Sequence, residues 1–127
     1  PEGATALVYS RGSVPATTLG MLQKGMTSVT AASKTTYTAV AGDQIVVDTV
    51  ANPVTITLPA SPAVGDEVTI MDGSASNGFA TNNCIIDRNS ENIEGDAAND
   101  TLATNNQCVT LIYANAAKGW LYKSTNQ

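Results

Sequence analysis

The clearest signal along this chain is a two-residue alternation of apolar and polar positions that recurs from Thr35 onward. Val54, Ile56 and Leu58 alternate with Thr55 and Thr57, a pattern that puts one face of a strand in a core and the other towards solvent. Gln44–Val50, Glu67–Met71, Asn83–Asp87 and Cys108–Ala114 are rich in Val, Ile and Thr, whose branched side chains suit a pleated, half-buried surface. With Thr35–Val40, Trp120–Lys123 and the neighbourhood of Ile93, the pattern predicts seven or eight short strands. Turn formers separate them: Gly42-Asp43, Asn52-Pro53, Asp72-Gly73, Asn77-Gly78, Glu94-Gly95-Asp96 and Lys118-Gly119. Between Leu58 and Glu67, Pro59 and Pro62 block ladder pairing and Gly65 permits a tight reversal. Strands at this spacing, with no amphipathic helical period, predict an all-β body over residues 35–127, an antiparallel β-sandwich or jelly roll. Its expected core is Ile45, Val47, Val54, Ile56, Leu58, Val68, Ile70, Ile86, Val109, Leu111 and Trp120. Phe79, in mid-loop, is expected to plug that core, and Trp120 with Tyr113 and Tyr122 to close one end of it.

Residues 1–34 follow no such period. They are rich in Ala, Gly, Ser and Thr, with a brief strand expected at Thr5–Ser10 and a helical turn within Thr18–Gly25. One reading is an extended N-terminal arm that gains order against a neighbour, anchored by Leu7, Tyr9, Arg11, Leu19, Met21, Leu22 and Met26, with Val8 beside them. The other is an opening strand and loop of the same globule.

Composition refines this picture. A chain of 127 residues is one domain, and 43% apolar residues suffice for a core. Only one Trp, four Tyr and one Phe are present, so the core is expected to be thin and aliphatic. No apolar run approaches the roughly 20 residues that span a bilayer, so no membrane partner is expected. The start Pro1-Glu2-Gly3, with no charged–apolar–small leader, fits a protein made in the cytoplasm that has lost its initiator Met.

The net charge of −5 is unevenly spread. Arg11, Lys24 and Lys34 face only Glu2 in the first forty residues, whereas Arg88 is the one cation among the carboxylates of residues 41–100. Such a body repels phosphate backbones, so no nucleic-acid partner is expected.

Chemistry is sparse. The chain has no His, which removes Ser-His-Asp and Cys-His catalysis and His-based zinc sites. No phosphate-cradling glycine motif occurs. Asp87-Arg-Asn-Ser-Glu-Asn-Ile-Glu-Gly-Asp96 looks like a calcium loop, but its sixth position is Asn92 rather than Gly and its twelfth is Ala98 rather than Glu. An irregular site from Asp87, Glu91, Glu94, Asp96 and Asp100 stays open. Cys84 and Cys108 lie in strand-like runs and read either as two buried thiols or as a cross-strand disulfide. No catalytic, metal or cofactor residue is assigned, and the chain reads as a building block rather than an enzyme.

One resemblance bears on function. Asp48-Thr-Val, Val54-Thr-Ile-Thr-Leu-Pro-Ala-Ser-Pro62, Val64-Gly-Asp-Glu-Val68, Phe79-Ala-Thr-Asn-Asn83, Asp87-Arg-Asn-Ser90, Ile93-Glu-Gly95, Val109-Thr-Leu-Ile-Tyr113 and Gly119-Trp120 follow one another from about Val40 to Tyr122. This order and spacing resemble a module of virion structural proteins from tailed bacteriophages, including cyanophages. The resemblance implies a non-enzymatic protein, often homotrimeric, assembled into the virion in the host cytoplasm. It is most readily a capsid decoration (cement) protein whose arm docks on the major capsid protein. The alternative is a tail-fibre, collar or head-fibre module that binds a receptor or host-surface glycan through Asn- and Asp-rich loops. The first 34 residues lie outside the resemblance.

Overall fold

A computed structural model describes residues 25–126; the side chain of Asn126 is not among what it describes. The described residues form nine strands and no helix. They are β1 (Met26–Thr30), β2 (Thr36–Thr38), β3 (Gln44–Asp48), β4 (Val54–Thr57), β5 (Glu67–Asp72), β6 (Cys84–Asp87), β7 (Asp100–Leu102), β8 (Cys108–Asn115) and β9 (Gly119–Asn126). One sheet has the order β1-β3-β5-β8-β9 and the other β2-β4-β6-β7.

The first six strands alternate between the sheets, so the chain winds as a flattened coil of three turns. Each circuit returns the chain to the same sheet in the same direction. β1, β3 and β5 are therefore parallel neighbours, with Met26 beside Gln44 and Gln44 beside Thr69. β2, β4 and β6 stack in the same way on the opposite side. Only at the end does the chain turn back: β7 runs antiparallel to β6, and the β8–β9 hairpin pairs antiparallel onto β5. The body is thus all-β and two-layered as expected, but its pairing is mixed rather than antiparallel. The reason lies in the connections, which cross between layers instead of folding back in one sheet, so like-directed strands become neighbours.

The core lies between the two sheets. β3, β4, β5, β6 and β8 each bury alternate residues, and one continuous cluster joins Val29, Ile45, Val47, Val68, Ile70, Val109 and Leu111 of one sheet to Val54, Ile56, Cys84, Ile86 and Leu102 of the other. All eleven expected core residues are 0% exposed. Phe79 fills the core from its loop, as expected, and Trp120 meets Tyr113 edge-on with ring centroids 5.6 Å apart. Burying each such aliphatic side chain is worth roughly 1.5–3 kcal/mol.

Part of the expected arm belongs to this body. Met26–Thr30 is strand β1, and the turn after it is closed by Ser33 and Lys34 N–H groups donating to the Thr30 carbonyl. The alternation of Thr27 and Val29 with Met26, Ser28 and Thr30 is too weak in apolar content to announce a strand, yet Val29 is buried beside Val47. The strand expected at Thr5–Ser10 and the helical turn expected within Thr18–Gly25 lie outside the described residues, apart from Gly25, which is in no helix.

Candidate functional site

A recess of about 240 Å³ opens between β7 and β9, the strands at the matching edges of the two sheets. Asp100, Thr101, Leu102, Ala103, Thr104, Gln107 and Tyr122 line it. β7 supplies Asp100 because Ile86 pairs with it, and β9 supplies Tyr122 because it lies opposite Leu111. The Tyr122 hydroxyl donates to Asp100 Oδ2 in a short hydrogen bond, and Thr101 N–H donates to Oδ1 at 2.8 Å. Burial, then this bond and the negative charges of Asp100 and Glu94, raise the Tyr122 pKa well above an ordinary phenol. Gln107, almost fully buried, accepts Thr104 N–H through Oε1 at 3.2 Å and shapes the loop below. A smaller recess of about 140 Å³, lined by Ile93, Glu94, Asp96, Ala98, Asn99 and Asp100, shares the Asp100 wall.

These walls carry hydroxyl, amide and carboxylate groups, without a nucleophile activated by a base. The arrangement offers donors and acceptors for hydrogen bonding to a polar ligand.

The carboxylates singled out as an irregular calcium set do not converge. Asp87 caps Asn89 N–H, Glu91 accepts the Tyr113 hydroxyl at 2.9 Å, and Glu94 accepts Tyr122 N–H at 2.8 Å. Among the described residues, no group of three or more His, Cys, Asp or Glu side chains is placed to hold a metal ion. Asp87 closes a local turn, whereas Glu91 and Glu94 tie their loop to β8 and β9.

Asp72 is a residue that sequence reading missed. It sits at the end of β5, where Oδ1 accepts Ser74 N–H and Oδ2 accepts the N–H groups of Phe79 and Asn106. Burial opposes its ionisation, but the donors from Ser74, Phe79 and Asn106 outweigh that and hold the carboxyl below its ordinary pKa. One side chain thereby ties the 73–83 loop to the 103–107 loop. The only sequence signal was Asp72-Gly73, which marks a turn and not the distant partners.

Cys84 and Cys108 are not bonded to each other. Cys84 points into the core and Cys108 sits on the outer side of the other sheet, which rules out the cross-strand bond considered above. Burial, reinforced by the Asp72 charge, pushes the Cys84 thiol up to about 12, so it stays protonated and inert.

Of the expected docking residues, Leu7, Tyr9, Arg11, Leu19, Met21 and Leu22 lie outside the described residues. Met26 is 56% exposed and begins β1. Val40 and Val64, 54% and 75% exposed, stand in the turns that feed β3 and β5. Because β1, β3 and β5 are parallel, the starts of all three share one rim, which therefore carries an apolar side chain on each turn of the coil. No helix among the described residues is long and apolar enough to cross a membrane.

Comparison with protein-family models and with curated proteins finds no match to this chain.

Proposed function

We propose that this chain is a structural protein of a tailed-phage virion, a capsid decoration protein that docks on the shell through its N-terminal segment. The observation that carries the reading is the rim formed by Met26, Val40 and Val64. It places exposed apolar side chains at the point where the N-terminal segment joins the body, with the carboxylates Asp43, Asp66 and Glu67 beside Val40 and Val64. The run of phrases shared with virion modules supports the same reading, as does a candidate site without activated chemistry. Leu7, Tyr9, Arg11, Leu19, Met21 and Leu22 would extend the contact along the major capsid protein, with Arg11 meeting acidic groups there. The protein would act without enzyme activity, cofactor, nucleic acid or membrane. The homotrimer rests on the resemblance alone.

A second reading, a tail-fibre, collar or head-fibre module that binds receptor or glycan, is favoured by the polar recess around Asp100, Gln107 and Tyr122. A cavity of about 240 Å³ holds about one sugar ring, below the ~300–1,000 Å³ of most ligand pockets. Electron microscopy of particles labelled on this chain separates the two. Label over the capsid supports decoration, label on fibres or collar supports the second reading, and particles without label refute both. Co-sedimentation with undecorated shells, with and without Met26→Ser and Val64→Ser, then tests the rim: undiminished binding by the variants removes it from the docking surface.

A further inference from the structure

β1 is an edge strand among the described residues, and it has none of the features that keep sheet edges apart. It contains no charge, no Pro and no bulge, and its register with β3 is continuous. The backbone direction follows from one bond. Ala31 N–H donates to the Asp48 carbonyl at 2.9 Å, so odd-numbered residues of β1 face β3 and the N–H and C=O groups of Met26, Ser28 and Thr30 face outwards. Thr27 and Val29 point their side chains inwards, in line with Ile45 and Val47.

We infer that β1 is a two-fold pairing edge that joins this chain to a second copy of itself, with Ser28 on the symmetry axis. In that register Ser28 faces Ser28 of the second copy, and the two exchange N–H and C=O groups that both point outwards. Thr30 N–H reaches the Met26 carbonyl of the second copy; the Thr30 carbonyl is already held by the Ser33 and Lys34 amides. Thr27 lands opposite Val29 of the second copy, so the buried face continues across the contact without a slip. A register shifted by one residue would turn inward side chains outwards. The acidic body favours this edge for self-contact, because Met26–Thr38 holds no carboxylate and its single charge, Lys34, lies beyond the strand. A closed two-fold contact uses the same patch on both copies. The inference does not rest on the virion reading, and any three-fold grouping would add to it.

The test is sedimentation equilibrium of the full chain from nanomolar to micromolar concentration. The expected mass is twice 13.0 kDa, or an even multiple of that unit if three-fold contacts form as well. Ser28→Pro removes an outward N–H and keeps every β3 bond, a position where an edge strand accepts Pro. Ser28→Lys sets like charges across the axis. Each variant should raise the dissociation constant at least about tenfold while the circular-dichroism spectrum stays that of the parent. If Ser28→Pro fails to fold, Ser28→Lys decides. A monomer or trimer of the parent chain at micromolar concentration overturns the inference, as does an assembly that neither variant weakens. Slow amide exchange at Ser28 in a monomer would show the edge taken by the chain's own residues, and also overturns it.

Discussion

The two ends of the coil are built differently. At the last turn, β7 and the β8–β9 hairpin reverse direction, the β8–β9 register is broken by bulges, and Lys123 pairs with Glu67 at 2.8 Å on the outer strand. Shifts in register, reversal and charge all discourage another strand from adding there. At the first turn, β1 and β2 end the sheets in uncharged Thr- and Ser-rich strands. A coil of stacked turns must cover both ends, and this chain spends its turn chemistry on one of them. The difference teaches that, among the described residues, the last turn is closed by reversal and charge while the first presents a plain uncharged edge, the one proposed above for self-contact.

The strongest way to break this division is Gly119→Ala. Gly119 adopts φ 71°, and a Cβ there would lie 1.9 Å from the Asn92 carbonyl oxygen, a backbone atom that accepts Trp120 N–H. The loop around Ile93 cannot keep its two bridges to Asp96 and Trp120 with that atom in place. A loss of about 3–5 kcal/mol in urea unfolding is expected, comparable with truncating a large core side chain. A loss below about 1 kcal/mol would mean the closed end is soft. Next comes Leu111→Ala against Val29→Ala. The first opens a cavity in the central strands and should cost about 2–5 kcal/mol; the second removes two carbons near the edge and should cost about 1.5 kcal/mol.

These contrasts also show how far the sequence could be read. Period-2 alternation located β3, β4, β5 and β8 because each buries one face, and it named the core correctly. It could not separate parallel from antiparallel pairing, since Val54-Thr-Ile-Thr57 alternates identically in either. β1 and β7 were missed because Met26-Thr-Ser-Val-Thr30 and Asp100-Thr-Leu102 hold one inward aliphatic residue each. In the candidate recess, Asp100 had been considered as a calcium ligand and Tyr122 as an aromatic lid. Their mutual bond depends on β7 and β9 being the facing edge strands of the two sheets, which no local pattern encodes. The same holds for Asp72, whose donors lie two, seven and thirty-four residues away.

A smaller effect tests that hub. Asp72→Asn should cost about 1–3 kcal/mol, because charged acceptors make the stronger hydrogen bonds. The folded pKa of Asp72 lies below its ordinary value, so its stabilisation is complete above the unfolded pKa near 4 and fades as pH falls through the folded one. Urea midpoints across acidic pH should therefore fall less steeply for the variant than for the parent. An equal slope would assign the acid sensitivity to other carboxylates. Smaller again is Tyr122→Phe, expected to cost about 1 kcal/mol. The raised pKa of Tyr122 means its contribution is complete below about pH 10 and is lost as pH climbs through the folded value. Ultraviolet titration should lose its latest component in the variant, because Tyr37 and Tyr113 are raised as well but less strongly than Tyr122.

The alternation of strands between layers has a consequence for synthesis. Every pairing within the first three turns joins residues at least one full circuit apart, so none forms as a local hairpin. The tight β8–β9 hairpin lies in the last twenty residues, and β8 is also the strand that seals β5. A chain leaving the ribosome N-terminus first emerges for most of its length without its shortest-range contact, and loop closure over such distances is slow. β8 and β9 are thus made after the strands that condense on them, and a nascent chain stalled before Cys108 would hold the uncharged strands β1 and β2 without that support.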